Sequence, residues 1–258
     1  MIISNFICIL YISNYIYILH LSGVIILFHF TGTSVEIALN KILEKIDNYE
    51  LASGDVVSDL EISKQLDISR TPIREAIRIL LDNGLLEKKG SKVIVKPITL
   101  DDISEILEVR EAIERMSVDI IINKNKGLSK EQLAELKDIH SKLYNDISSG
   151  DFSSNFKYDE LFHTKLIEFS NNSRLLNISQ RISLQGQRLR WITLLTPNRY
   201  LETIDEHEVI INGLENLNLN DTFNSISSHL ENSRENYYKI LSNSQWNKIA
   251  MQMQNMTL

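Results

Sequence analysis

The pattern that most restricts how this sequence can fold lies between Ser58 and Val95, where two short helix signals are followed at once by a basic hairpin. Ser58 precedes Asp59-Leu60-Glu61, a capping box in which Ser58 and Glu61 would satisfy each other's free amides, so a helix is expected to open here and run through Leu66. After Asp67-Ile68, Ser69 is placed as the N-cap of a second helix, with Pro72 in the first turn, where a missing N–H costs little. Ile73, Ala76, Ile77 and Leu80 recur at helical spacing, and Asn83-Gly84 is a stop signal. Leu85-Leu86 and Val93-Ile94-Val95 then flank Lys88-Lys89-Gly90-Ser91-Lys92, which reads as a β-hairpin with a basic tip. A further helix is expected upstream, from Val35 to Tyr49 (Ile37, Leu39, Ile42, Leu43, Ile46), with a turn at Ala52-Ser53-Gly54-Asp55. Helix, helix, turn, helix and hairpin is the order of a winged helix-turn-helix.

The formal net charge of -7 argues against a DNA binder only until it is resolved along the chain. Between Ser69 and Lys96 there are 7 basic residues (Arg70, Arg74, Arg78, Lys88, Lys89, Lys92, Lys96) against 3 acidic ones (Glu75, Asp82, Glu87). A local basic face suffices for phosphate contact. With the apolar residues anchoring the helix, Arg70, Thr71, Arg74 and Arg78 project from its start and outer side, where arginine can bond guanine bidentately. The hydroxyls of Ser69 and Thr71 suit phosphate oxygens, and the wing lysines add salt-sensitive contacts. Three arginines alone describe an ordinary solvated helix face; the helix order and the hairpin favour DNA reading.

Beyond a short linker at Lys96-Pro97-Ile98-Thr99, the chain reads as all helix: Asp101–Asn123, Lys130–Ser148, Ser154–Ser170, Ser173–Leu194, Leu201–Asn216 and Asp221–Leu241. With only 3 prolines and 9 glycines in 258 residues, a mainly α fold is expected, with a winged helix-turn-helix followed by a helical-bundle effector domain. The expected domains are an apolar extension over 1–34, a DNA-binding domain over 35–98, a helical ligand- and metal-binding domain over 99–242 and a polar tail over 243–258. Met1 to Phe30 holds no Lys, Arg, Asp or Glu. It is read as a mis-assigned start or a disordered segment, in preference to a membrane span, because the first lysine is Lys41. The single cysteine, Cys8, fits a reducing compartment, and a cytoplasmic protein is expected.

Asp159 and His163 are four residues apart on one helix face; His207 is in phase with Ile204, Ile211 and Leu214, and His229 with Ile226. Three histidines and an aspartate turned inward are costly unless something pairs them. A divalent metal would do so; a hydrogen-bonded core position for each histidine is the alternative.

The run from Ala52-Ser53-Gly54-Asp55 through Ser69-Arg70-Thr71-Pro72-Ile73-Arg74-Glu75-Ala76-Ile77 to Asn83-Gly84-Leu85-Leu86 resembles the DNA-binding domain of the GntR family of regulators. The resemblance implies operator contacts by Ser69, Arg70, Thr71 and Arg74, with Gly90 shaping the wing. Two departures stand out: Leu60, where some members carry a DNA-contacting arginine, and Asp67, in place of a turn glycine. From Asp101 to Leu241 the chain is similar to the FCD effector domain of the FadR-type branch. The matching strings include Asp102-Ile103, Val109-Arg110, Ile113-Glu114, Tyr158-Asp159, Phe162-His163, Asn171-Asn172-Ser173-Arg174-Leu175, Asp205-Glu206-His207 and His229-Leu230. That resemblance places a metal, zinc first and nickel or iron next, on Asp159, His163, His207 and His229. It also implies a small organic acid effector. Arg110-Glu114 reads as a structural ion pair at i,i+4, and Arg188 and Arg190 are the cations offered to an anionic effector, with surface positions as the alternative.

The function expected is thus a regulator, in the repressor sense, acting as a homodimer on an inverted-repeat DNA operator, with no membrane partner. The rivals are a metal-dependent hydrolase, against which no acidic residue is placed as general base, and a membrane-anchored sensor using residues 1–30.

Overall fold

The computed structural model describes residues 8–12, 15–20, 23–26, 33–47, 50–149, 155–186, 189 and 197–242. Two compact units divide the chain, Met1–Thr99 with Asn243–Leu258, and Leu100–Ser242. Arg188, Arg190 and the tail from 243 onward lie outside the described residues.

In the N-terminal extension, where the sequence pointed to a mis-assigned start or disorder, β1 (Cys8–Ile12), β2 (Tyr15–His20) and β3 (Gly23–Ile26) form an antiparallel meander. Its residues are largely Ile, Leu and Tyr, and β-branched and aromatic residues suit a pleated surface. Among the described residues no helix is long and apolar enough to cross a membrane.

The winged helix-turn-helix follows. In α1 (Ser34–Asp47) Ala38, Leu39, Ile42, Leu43 and Ile46 are buried and pack on the third helix, whereas Ile37 falls on the opposite side and is half exposed. Ser58 caps α2 (Asp59–Leu66), its Oγ accepting from the Glu61 amide at 3.3 Å. Asp67 closes α2 in the left-handed region, φ 52° and ψ 40°, and its amide donates to the Ser63 carbonyl. Glycine reaches that conformation freely; a side chain there costs about 1 kcal/mol, and aspartate tolerates it better than most.

In α3 (Arg70–Asp82) Ile73, Ala76, Ile77 and Leu80 are buried, as their spacing predicts. Each fully buried Ile or Leu contributes about 1.5–3 kcal/mol, enough to fix which face looks outward. One expectation is corrected: Ser69 occupies the N-cap position, but its side chain makes no capping hydrogen bond. At φ -59° and ψ 155° it is exposed instead. The helix ends as its sequence indicates, with Gly84 at φ 74° and the amides of Gly84 and Leu85 returning to the Leu81 and Leu80 carbonyls.

The wing pairs β4 (Leu86–Lys89) with β5 (Lys92–Val95), Lys89 opposite Lys92. Gly90 takes a positive φ of 63° at the first turn position, as a two-residue hairpin of this kind requires. Val56, which follows the Ala52-Ser53-Gly54-Asp55 turn, adds a bridge to Ile94 on the other side of β5.

The second unit is a bundle of six helices among its described residues. α4 (Leu100–Asp119) passes into a π turn over Ile120–Lys124, and α5 (Lys130–Ser149), α6 (Asn155–Phe169) and α7 (Ser173–Gly186) follow. α8 (Pro197–Glu215) starts earlier than its apolar spacing indicated, with Pro197 at the first helical position, a place proline suits. α9 (Leu219–Leu241) is capped by Asn218, which accepts from the Asp221 amide. α4 packs on α6, α7 and α9, α5 on α6 and α8, and α8 on α9. Gly213 lets α8 approach α9 closely; a Cβ there would collide with the buried Thr222 side chain.

Candidate metal centre and DNA-reading face

At the centre of the second unit, α6 supplies Asp159 and His163, α8 supplies His207 and α9 supplies His229. One ligand atom from each lies within 4.8 Å of all the others. The three histidines are buried, His207 completely, each on the apolar stripe of its helix beside Phe162 and Leu166, Ile204 and Ile211, or Ile226 and Leu230. His207 Nε2 stands 3.1 Å from His163 Nε2 and 3.5 Å from Asp159 Oδ1. The His207 ring stacks on Phe162 with centroids 4.1 Å apart and planes 10° from parallel. The other histidine beyond residue 35, His140, is not in the cluster; it bonds the Ile204 carbonyl.

Two carboxylates that the sequence did not single out as part of a site hold two of these rings from behind. Glu114 Oε2 is 3.0 Å from His163 Nδ1, and Glu206 Oε2 is 2.7 Å from His229 Nδ1. With Nδ1–H donating to a carboxylate, each ring turns the lone pair of Nε2 away from that bond, the arrangement in which imidazole serves as a ligand. The carboxylates are themselves braced. Arg110 Nε donates to Glu114 Oε1 at 2.7 Å, and Arg199 Nη2 and Asn232 Nδ2 each donate to Glu206 at 2.7 Å. Burial alone would raise Glu114, but its hydrogen bonds and electrostatic interactions with His163 and Arg110 hold it down to about 2. Glu206 is lowered too, its burial outweighed by hydrogen bonds from His229 and Arg199.

Burial pushes the His207 imidazole well below its ordinary range, and the closeness of His163 and His229, with which it would share positive charge unfavourably, pushes it further. For His229 burial also wins, over the Glu206 hydrogen bond that favours its charged form. Histidine ligates only when neutral. Three imidazoles and one carboxylate, two of the rings oriented by carboxylates, make a donor set that fits a divalent transition metal.

Two cavities flank the cluster. One, between α4, α6 and α7, is lined by Arg110, Glu114, His163, Gln180 and Ser183 with an apolar wall of Ile106, Ile113 and Ile167. The other is lined by Asp159, Arg199, Tyr200, His229 and Ser233. Arg110 and Tyr237 border both. Arg110 Nη2 and Arg199 Nε are buried without a hydrogen-bond partner. Arg110, read from sequence as the cation of an ion pair, is therefore also a free donor at the cluster. Glu114 carried a signal for its role, since a charged residue stands there on the apolar stripe of Ile103, Ile106, Leu107, Ile113 and Val118. Glu206 carried none beyond its place next to His207.

On the first unit the outer side of α3 presents Ser69, Arg70, Thr71, Arg74 and Arg78, all exposed, and the wing tip exposes Lys88, Lys89, Gly90, Ser91 and Lys92. Arg70 and Arg74 both bond Asp59 at the start of α2, with closest distances of 2.8 and 2.6 Å. Arg78 pairs with Glu75 and Asp82 on its own helix. Leu60, at the position of the missing arginine, is 46% exposed.

Residues 35–93 match the family described as bacterial regulatory proteins, gntR family, and residues 105–232 match the FCD domain. An HTH-type transcriptional regulator of Bacillus subtilis, YdhC, is 23% identical over 207 residues, 78% of this chain and 90% of that protein. An HTH-type transcriptional regulator from the TAR-I ttuE-ttuC' intergenic region of Agrobacterium vitis is 30% identical over 136 residues, 52% of this chain and 78% of that protein. Among solved structures, McbR/YncC of E. coli superimposes with a TM-score of 0.69 at 19% identity, covering 81% of this chain and 99% of that one, a likeness of fold.

Proposed function

This chain belongs to the GntR family of bacterial regulatory proteins and carries an FCD domain, and on that premise we propose that it is a metal-dependent, carboxylate-responsive repressor acting as a homodimer. It is a DNA-binding transcriptional regulator, of a family that is not enzymatic. The finer reading rests on one observation above the others: Asp159, His163, His207 and His229 converge from three helices with their ligand atoms within 4.8 Å.

Asp159 and the Nε2 atoms of the three histidines would hold the metal, and a bound metal supplies an acceptor site for an effector carboxylate. The rest is done by the chain's own groups. Glu114 and Glu206 fix two rings, Phe162 supports the third, and Arg110 offers a buried N–H to an anion in either flanking cavity. An anion there gains a charge-assisted hydrogen bond from a buried donor.

Ser69, Arg70, Thr71, Arg74 and Arg78 on α3, with Lys89 and Gly90 on the wing, would contact the operator. Repression requires only that the protein occupy its operator and release it when the effector binds, because ligand and DNA affinities are linked reciprocally. Selection of duplexes from a random library by the full chain tests the DNA half of this reading. The enriched sequence is expected to be an inverted repeat whose half-sites are spaced by whole helical turns, since a two-fold dimer presents two reading helices to one side of the duplex. Enrichment of a single asymmetric half-site, or none, would contradict it.

A further inference from the structure

We propose that Asp59 is a positioning residue for sequence reading: its carboxylate holds Arg70 and Arg74 in the orientation in which they meet base edges. The proposal rests on the assignment of α3 as the reading helix. Asp59 opens α2, yet it reaches across to α3. Arg70 donates to it from Nη2 at 2.8 and 2.9 Å and from Nε at 3.3 Å, and Arg74 donates from Nε at 2.6 Å. The arginine side chains are 47% and 65% exposed, so these bonds are what restrict their rotamers.

The choice of atoms matters. Arg74 is tethered through Nε, so its two terminal nitrogens, the pair that forms a fork with guanine O6 and N7, are not engaged by Asp59. Arg70 is tethered along its Nε–Nη2 edge, and Nη1 points to the other side. One carboxylate thus leaves donors on both guanidiniums facing away from itself. The two arginine hydrogen bonds keep Asp59 below the ordinary carboxylate range, so it is ionised wherever the protein works. Arg78, whose partners Glu75 and Asp82 lie on its own helix, is not part of this arrangement.

A carboxylate near the duplex has two opposed effects. It repels phosphates, which weakens binding to any sequence, and it prepays the ordering of two long side chains, which favours the sequence those side chains read. Binding of the full chain is measured to the tightest duplex it selects from a random library and to a scrambled duplex of the same composition. Asp59→Asn, which keeps the shape and removes the charge, is expected to weaken the selected duplex on the order of tenfold. It is also expected to strengthen the scrambled duplex by roughly twofold or more, as one repelling charge is lost. Asp59→Glu, which restores the charge, is expected to recover part of the discrimination.

Opposite shifts on the two duplexes support the proposal. If both tighten, Asp59 only blocks DNA; if both weaken, it only supports the fold; if neither moves, the bonds are idle. Each of these three results overturns it. Arg74→Ala separates the premise: if that variant binds the selected duplex like the parent, α3 is not the reading helix, and the failure belongs to that assignment.

Discussion

Chelation is expected to lower the melting temperature of this protein by roughly 5–10 °C, and added zinc to restore it. A metal that binds the folded state and not the unfolded one stabilises by RT ln(1 + [M]/Kd), about 2.7 kcal/mol at a hundredfold excess over Kd. For a helical unit of this size each kcal/mol moves the midpoint by roughly 2–4 °C. His207→Ala and His229→Ala are expected to lose the metal, to melt lower than the parent, and above all to become insensitive to chelator. The last point separates a ligand from a core residue. Removing a buried imidazole destabilises either way, but only a ligand's removal abolishes the response to chelation.

The pH dependence follows with its sign. In the folded state His207 and His229 lie below their ordinary value, with burial the largest cause. As pH falls through about 6.5 the unfolded chain takes up protons that the folded chain resists, so stability falls with falling pH across that window. Metal occupancy moves the same way, because protons compete for the same nitrogens, and it is expected to decline below about pH 6. A folded wild-type protein whose melting temperature ignores both chelator and zinc would return these residues to the status of hydrogen-bonded core histidines.

Arg70→Ala and Arg74→Ala are each expected to weaken binding to the selected duplex by about 1–3 kcal/mol, the worth of a bidentate base contact. Discrimination should relax at the base pairs each residue reads. Lys89→Ala, at the exposed wing tip, is expected to weaken binding to all sequences alike and to reduce the salt slope by about one. The contrast is expected because Lys89 stands at the exposed wing tip, suited to phosphates of any sequence, whereas the arginines are carried on a helix anchored by Ile73, Ala76, Ile77 and Leu80. Fluorescence anisotropy at several salt concentrations measures all three variants. Parental binding by both arginine variants would contradict the reading-helix assignment.

What the sequence made legible was what short-range chemistry encodes. The winged helix-turn-helix could be read because Ser58, Pro72, Gly84 and Gly90 each suit a local backbone requirement and the apolar residues between them keep helical phase. Asp159 and His163 were legible as a pair because a four-residue spacing fixes them on one face, and His207 and His229 because each follows its own helix stripe. The structure adds contacts between residues far apart in the chain. Glu114 has a nearer partner, Arg110, that accounts for it in sequence; its second partner, His163, is reached only when α4 packs on α6. Glu206 finds His229 across the close approach of α8 and α9 that Gly213 permits. Asp59 had no role of its own in the sequence beyond opening α2 after Ser58; α3 brings Arg70 and Arg74 to it. Ser69 shows the converse: its residue type suits a cap, but its backbone leaves the hydroxyl outward.

On the proposed reading an anion site at the metal is coupled to the grip on DNA, and a single titration measures that coupling. The affinity of the metal-loaded protein for its selected duplex is followed as small mono- and dicarboxylates are added, each having first been shown by thermal shift to bind. At least one binder is expected to weaken the duplex by roughly 5- to 150-fold, the range of a 1–3 kcal/mol coupling, and that response should vanish in His207→Ala. Carboxylates that bind at the metal site and leave duplex affinity unchanged would contradict it.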